Sequence, residues 1–146
     1  KYYNIKNDIK YNICIDSVTI YQKEYIDVFI ENNIITMKIL KCPYKDEKLI
    51  SYGFHIYTYN IEPKCSINLS FDIKINIDEE DVNLKLYTGI KWITYNEKIN
   101  NNYSNYNINE NFDLSKGSKW RISTTSKTIG QEIIIKNLHM HIVDEL

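Results

Sequence analysis

His55, Tyr57 and Tyr59 occupy alternate positions of the segment SYGFHIYTYN, Trp92 and Tyr95 fall within KWITY, and Tyr103 lies in an asparagine-rich stretch just beyond. Aromatic rings offer flat apolar faces on which the C–H faces of a sugar stack, while neighbouring Asn, Asp, Lys or His groups hydrogen-bond its hydroxyls. If the first segment is extended, its three residues share one face. These six are therefore the candidate ligand-binding residues. Half-buried sheet aromatics with only their polar tips at the surface would give the same pattern.

Other chemistries find less support. His139 and His141 stand two apart beside Asn137, but zinc needs a further ligand, such as His55 or Asp144, and no diagnostic spacing supplies one. Glycoside hydrolysis needs an acid with a raised pKa and a partner carboxylate at a set distance. Glu79, Glu80 and Asp81 instead cluster in one acidic turn, where solvation is the expected fate of the charges. The sequence contains no nucleophile elbow, phosphate-cradling glycine loop or Cys–His signature. No catalytic residue, metal site or cofactor is expected. Cys14, Cys42 and Cys65 include no close pair, which excludes a Cys-x-x-Cys motif. One disulfide with a leftover thiol stays open, beside the expectation of buried thiols.

The elements that must position these residues read as strands. In SINLSFDIKINID, from Ser66 to Asp78, Ile67, Leu69, Phe71, Ile73, Ile75 and Ile77 alternate with polar neighbours. Period two with no Gly or Pro inside predicts a central strand, one face on a core and the other open to water or a ligand. Before it, residues 1–10 read as a linker or edge strand, and Tyr11 to Tyr21 alternates with a break near Asp16-Ser17. Tyr25 to Ile30 and Ile34 to Leu40 flank a hairpin turn at Glu31-Asn32-Asn33, because Asn tolerates positive φ. Lys41 to Lys48 reads as a loop with nothing to bury. Leu49 to Asn60 is a strand with Tyr52, Phe54 and Ile56 on its inner face, and Glu62-Pro63-Lys64 is a turn.

Further on, Val82, Leu84 and Leu86 keep period two, and Lys91 to Tyr95 is a short strand. Residues 96–111 read as one long irregular loop, a length associated with function or mobility. Trp120, Ile122 and Thr124 share an inward face after a turn at Lys116-Gly117-Ser118, and the last strand, EIIIKNLHMHIV, points Leu138, Met140 and Ile142 at the core. With no convincing helix and eight to ten short strands, the pattern predicts an all-β antiparallel sandwich or barrel.

The 146 residues fit a single domain, 1–146, with one core. A net charge of −1 with interspersed signs gives no electrostatic case for nucleic acid or an anionic membrane. No apolar run approaches the roughly 18 residues of a membrane span. The absence of Ala, the single Arg (Arg121) and the excess of Ile, Asn, Lys and Tyr match AT-rich codons, hence a low-GC genome. The chain starts at Lys1, so a mature or excised piece of a larger protein is expected. It ends in Val143-Asp144-Glu145-Leu146, which resembles an endoplasmic-reticulum retrieval signal.

From about Ile50 onward the chain resembles carbohydrate-binding modules of the jelly-roll, galactose-binding-like β-sandwich type, and the related modules of phage tail and clostridial surface proteins. The resemblance rests on Ile61-Glu62-Pro63-Lys64 followed by Ser66-Ile67-Asn68-Leu69-Ser70-Phe71-Asp72-Ile73. It continues through the Val82–Leu86 strand, Gly117 with the Trp120 strand, and the closing Ile133-Ile134-Ile135-Lys136-Asn137-Leu138 strand. It implies an antiparallel two-sheet sandwich that binds a glycan or cell-surface ligand without catalysis, outside the cell, on its surface or on a virion. Other domains of a parent protein, or further copies of the chain, would be its neighbours. Such modules often hold a structural calcium with an acidic residue in the last strand. Here that neighbourhood reads Lys136-Asn137, and a lysine opposes a hard cation. The rival reading is a structural or assembly domain of a phage tail, bacteriocin or toxin complex; a secreted viral or parasite protein retained by its terminus is a third.

Overall fold

A computed structural model describes residues 2–5, 14–21, 24–59, 64–80, 82–117 and 119–143, without the side chains of 2–5, 14–21, 58 and 59. Every pairing among the described strands is antiparallel. One sheet has six strands in the order β1 (Tyr2–Ile5), β2 (Cys14–Tyr21), β7 (Tyr52–Tyr59), β12 (Lys119–Thr125), β9 (Asn83–Tyr87) and β10 (Trp92–Tyr95). The other has five, β11 (Ser104–Asp113), β8 (Lys64–Ile75), β13 (Glu132–Ile142), β4 (Ile34–Ile39) and β3 (Ile26–Glu31). From β7 onward the chain crosses between the sheets at every step except the β9–β10 hairpin, which stays within the six-stranded sheet, and the two sheets pack into the expected jelly-roll β-sandwich. No helix long and apolar enough to cross a membrane occurs among the described residues.

Strand β8 shows why the sheets close on one another. Ile67, Leu69, Phe71, Ile73 and Ile75 are all 0% exposed, and removing each such side chain from water contributes about 1.5–3 kcal/mol. From the facing sheet, Tyr52, Phe54, Ile56, Leu84, Trp120 and Ile122 enter the same core, so the inward assignment of Trp120 holds. Ile77 does not join them. The strand ends at Ile75, and Ile77 is 38% exposed, its backbone N–H and carbonyl bound instead by the Gln131 side-chain amide at 3.0 and 2.7 Å.

The local turns follow residue chemistry. Asn32 and Asn33 adopt φ of 51° and 62° between β3 and β4, the left-handed pair that a two-residue hairpin needs. The break near Asp16 is a register shift between Ile15 and Ser17 in the pairing of β2 with β7. In β13 a second shift falls between Lys136 and His139, where Asn137 has φ 54°. This extra residue explains why Ile133 and Ile135 point inward, and then Leu138 and Met140, with Ile142 half-buried at the end.

Several expectations are corrected. The asparagine-rich segment is mostly strand: β11 runs ten residues and pairs with β8 from Ser104↔Ile73 to Asp113↔Lys64. Its inner face carries Tyr106 and Phe112, and its outer asparagines hydrogen-bond β8, as from Asn68 Nδ2 to the side-chain oxygens of Asn107 and Asn109, each at 2.8 Å. Lys41 to Lys48 includes a small hairpin of β5 (Tyr44–Lys45) and β6 (Lys48–Leu49), and Pro43 is buried. Cys42 is exposed and Cys65 half-buried rather than both buried, and the side chain of Cys14 lies outside the described residues. The expected turn residues Glu62 and Pro63, the acid Asp81 and the terminal residues 144–146 also lie outside them. The strands number thirteen among the described residues, two of them a residue pair each.

Glu79 is not a solvated charge. Its carboxylate accepts from Ser126 Oγ at 2.8 Å, the Lys127 N–H at 2.7 Å and Gln131 Nε2 at 3.2 Å, tying the β8–β9 turn to the β12–β13 turn. Burial pushes its pKa up, but these bonds, led by the Lys127 N–H, outweigh burial and hold it below the ordinary value. Stability from this group is complete above the unfolded-state pKa and is lost as pH falls through the depressed folded one. Replacing Glu79 by Gln is expected to cost about 1 kcal/mol at pH 7, since the site is partly exposed. In urea melts from pH 7 to pH 3, the deficit should shrink on acidification; a constant deficit would show that the charge is not what the three donors need.

Gly89 has φ of 91°, and any side chain there would drive its Cβ into the Asp113 carbonyl oxygen. The contact exists because the Asp113 N–H donates to the Thr88 carbonyl at 2.9 Å, joining the end of β11 to the β9–β10 turn. Gly89→Ala is thus expected to destabilise by upward of about 2 kcal/mol, through strain and a displaced backbone, as read by the urea midpoint.

Candidate functional site

Register determines which side chains meet on the outer face of the six-stranded sheet. His55 on β7 lies opposite Arg121 on β12, Arg121 opposite Tyr87 on β9, and Tyr87 opposite Trp92 on β10. Residues directly opposite in an antiparallel ladder share a face, so these four form one row across four adjacent strands. One step along, Tyr57 lies opposite Lys119. The Tyr87 and Trp92 rings are tilted against each other at 5.1 Å, the Arg121 guanidinium sits 4.8 Å from the Trp92 ring, and the Lys119 ammonium 5.9 Å from that of Tyr57. Trp92 is 43% exposed for all these contacts, leaving ring surface to solvent.

Beside the row opens a cleft of ≈ 330 Å³. Its floor comes from His55, Tyr87, Lys119, Trp120 and Arg121, and its wall from Gly89 of the β9–β10 turn with Asp113, Ser115 and Lys116 from the end of β11 and the turn after it. That wall is fixed by the Gly89 contact and by an Asp113–Ser115 cap. Asp113 Oδ1 accepts from the Ser115 N–H at 3.0 Å and from Ser115 Oγ at 2.6 Å, bonds that hold the carboxyl below its usual pKa. Burial pushes the His55 imidazole down, as do Lys119 and Arg121. A neutral imidazole both donates and accepts a hydrogen bond. The cleft thus combines flat rings at its edge with donors and acceptors within reach, the chemistry needed to hold a polyhydroxylated ring.

The six sequence candidates part company in three dimensions. His55, Tyr57 and Trp92 share the outer face just described. Tyr95 lies on the other side of β10, half-buried against the core, its ring edge-on to Tyr106 at 4.7 Å. Tyr103 lies against the five-stranded sheet, where the ammonium groups of Lys136 and Lys74 stand 3.8 and 4.7 Å from its ring. The backbone of Tyr59 belongs to β7, but its side chain lies outside the described residues. Period-two reading could have found Lys119, Arg121 and Tyr87, because an inward Trp120, Ile122, Leu84 and Leu86 leave those three outside. The wall residues could not be found that way, since they depend on the turn at Gly89.

His139 and His141 occupy the five-stranded sheet opposite Ser70 and Asn68, while His55 stands on the other sheet and so cannot complete their coordination. Among the described residues no three His, Cys, Asp or Glu side chains are grouped to hold a metal ion.

No family model and no curated protein matches the sequence. Solved structures match its shape. A family 4 carbohydrate-binding module superposes with a TM-score of 0.54 at 14% identity, over 97% of this chain and 95% of that one. A mutant family 29 carbohydrate-binding module gives 0.53 at 16%, over 97% and 91%. The enzymatically active domain of tailspike protein 4 from bacteriophage CBA120 gives 0.56 at 14%, over 87% of this chain but only 19% of the tailspike chain. A further family 29 mutant of similar score was solved with cellulohexaose. The structural similarity to carbohydrate-binding modules and to a phage tailspike domain, expected from the SFD strand and the Trp120 strand, is therefore present. At these identities it establishes the fold: this chain is an antiparallel β-sandwich of the kind those modules use.

Proposed function

We propose that this chain binds a glycan without catalysis, through the outer face of the six-stranded sheet. The observation that carries the proposal is the row Trp92, Tyr87, Arg121 and His55, which aligns the exposed Trp92 ring and the half-buried Tyr87 ring with hydrogen-bonding groups beside a cleft of saccharide size. Tyr57 and Lys119 extend the same surface. A non-catalytic role is favoured because, among the described residues lining the cleft, Asp113 is the one carboxylate, whereas glycoside hydrolysis uses two. The family 4 and family 29 modules support a sugar as ligand. A protein working this way would sit on a cell surface, in secretions or on a virion, as one module of a larger assembly.

A second reading is a structural domain of a phage tail or toxin complex whose faces bind protein, supported only by the likeness in fold to part of a tailspike chain. The two part on one experiment. Titrating the chain with cellulohexaose and with an array of plant and bacterial oligosaccharides should change tryptophan fluorescence, because Trp92 is exposed while Trp120 is 0% exposed. Trp92→Ala should weaken binding about tenfold, the worth of one stacking ring, with the melting temperature unchanged. Saccharide binding that survives Trp92→Ala would move the site elsewhere; no saccharide binding, with stable self-association, would favour the structural domain.

A further inference from the structure

The cleft carries more positive charge than recognition of a neutral sugar calls for. Among the described residues lining it, Lys116, Lys119 and Arg121 are cationic and Asp113 alone is acidic. Asp113 Oδ1 is already engaged by Ser115. The excess is local, because the whole chain has a net charge of −1. Its effect is felt at His55, which lies opposite Arg121 and is pushed away from protonation by burial and by the positive charge of Lys119 and Arg121. The opposite face of the sandwich offers a contrast. There Lys74 and Lys136 also stand over a tyrosine ring, but Asp72 lies opposite Lys136 and accepts from Asn137 at 2.7 Å and Asn105 at 3.1 Å, so an anion is already built in.

Resting on the glycan-binding reading, we infer that the cleft between β12 and the β11–β12 turn selects anionic saccharides, carboxylated or sulfated, over neutral ones. Arg121 supplies a planar fork suited to two oxygens of one acidic group. Its guanidinium lies at the Trp92 ring, so the acidic substituent of a sugar would meet it while the sugar ring meets the indole. Lys119 and the exposed Lys116 add charge from the floor and the wall, and neutral His55 takes a hydroxyl.

The test is calorimetric titration of the full chain with tetragalacturonate, a sulfated tetrasaccharide and cellotetraose, at low and high salt. The anionic oligosaccharides are expected to bind about tenfold more tightly than the neutral one of equal length, with the gap narrowing in salt. Which anionic probe binds identifies the acidic group. Lys116→Gln, a change at an exposed turn residue with little risk to folding, should narrow the gap about two- to threefold, and Arg121→Gln more. Equal affinity for anionic and neutral probes, or a gap untouched in both variants, overturns the charge preference while leaving a sugar site in place. Binding of no saccharide at all overturns both readings.

Discussion

Burial of alternate side chains between the two sheets determines everything else in this molecule. Strands β7, β8, β9 and β12 give every second residue to a shared core, and a one-residue slip would turn that set outward. The five fully buried residues of β8, from Ile67 to Ile75, pin one sheet, and Tyr52, Phe54, Ile56, Trp120 and Ile122 pin the other. The outer faces are the complement of that choice. Once Trp120 and Ile122 point inward, Arg121 must point outward, and the ladders then place it between His55 and Tyr87.

The two outer faces that result differ in chemistry. The five-stranded face carries an amide ladder in which asparagines of β11 and polar residues of β8 largely bind one another, as in Ser66 to Asn111, Asn68 to Asn107 and Asn109, and Asn105 to Asp72. A surface that satisfies its own hydrogen bonds gains little by exchanging them for a ligand's. The six-stranded face presents rings and cations instead, and it ends at a wall set by the close approach of Gly89 to Asp113. Because jelly-roll sandwiches with this shape serve as carbohydrate-binding modules and within a tailspike, the fold sets no single function, and the choice between sugar and protein rests on that face.

Where a strand has one apolar face, its sequence revealed it: β7, β8, β9 and β12 are legible from alternation alone, as is the hairpin at Asn32-Asn33. Strand β11 was hidden because Ile108 and Glu110, midway along it, are only half-buried and asparagine fills most of its outward positions, which reads as a loop. The sheet supplies what propensity does not, since those asparagines bond side chains of β8. The candidate site was half legible. His55, Tyr57 and Trp92 are legible as aromatic or imidazole groups on strands, but of their sequence neighbours Tyr95 packs half-buried against the core and Tyr103 lies against the other sheet. Arg121, the only arginine of the chain, carries no ligand signal in sequence, because its partners in the row, His55 and Tyr87, come from other strands and meet it only through the ladder register.

Mapping amide chemical shifts in a ¹⁵N-labelled chain during titration with tetragalacturonate and cellulohexaose decides whether the outer face of the six-stranded sheet is the ligand surface. Perturbed amides are expected on β7, β12, β9, β10 and residues 113–117, with the Trp92 indole N–H among the largest changes. Perturbations gathered on β8, β11 and β13 would place the ligand on the amide ladder and contradict that expectation.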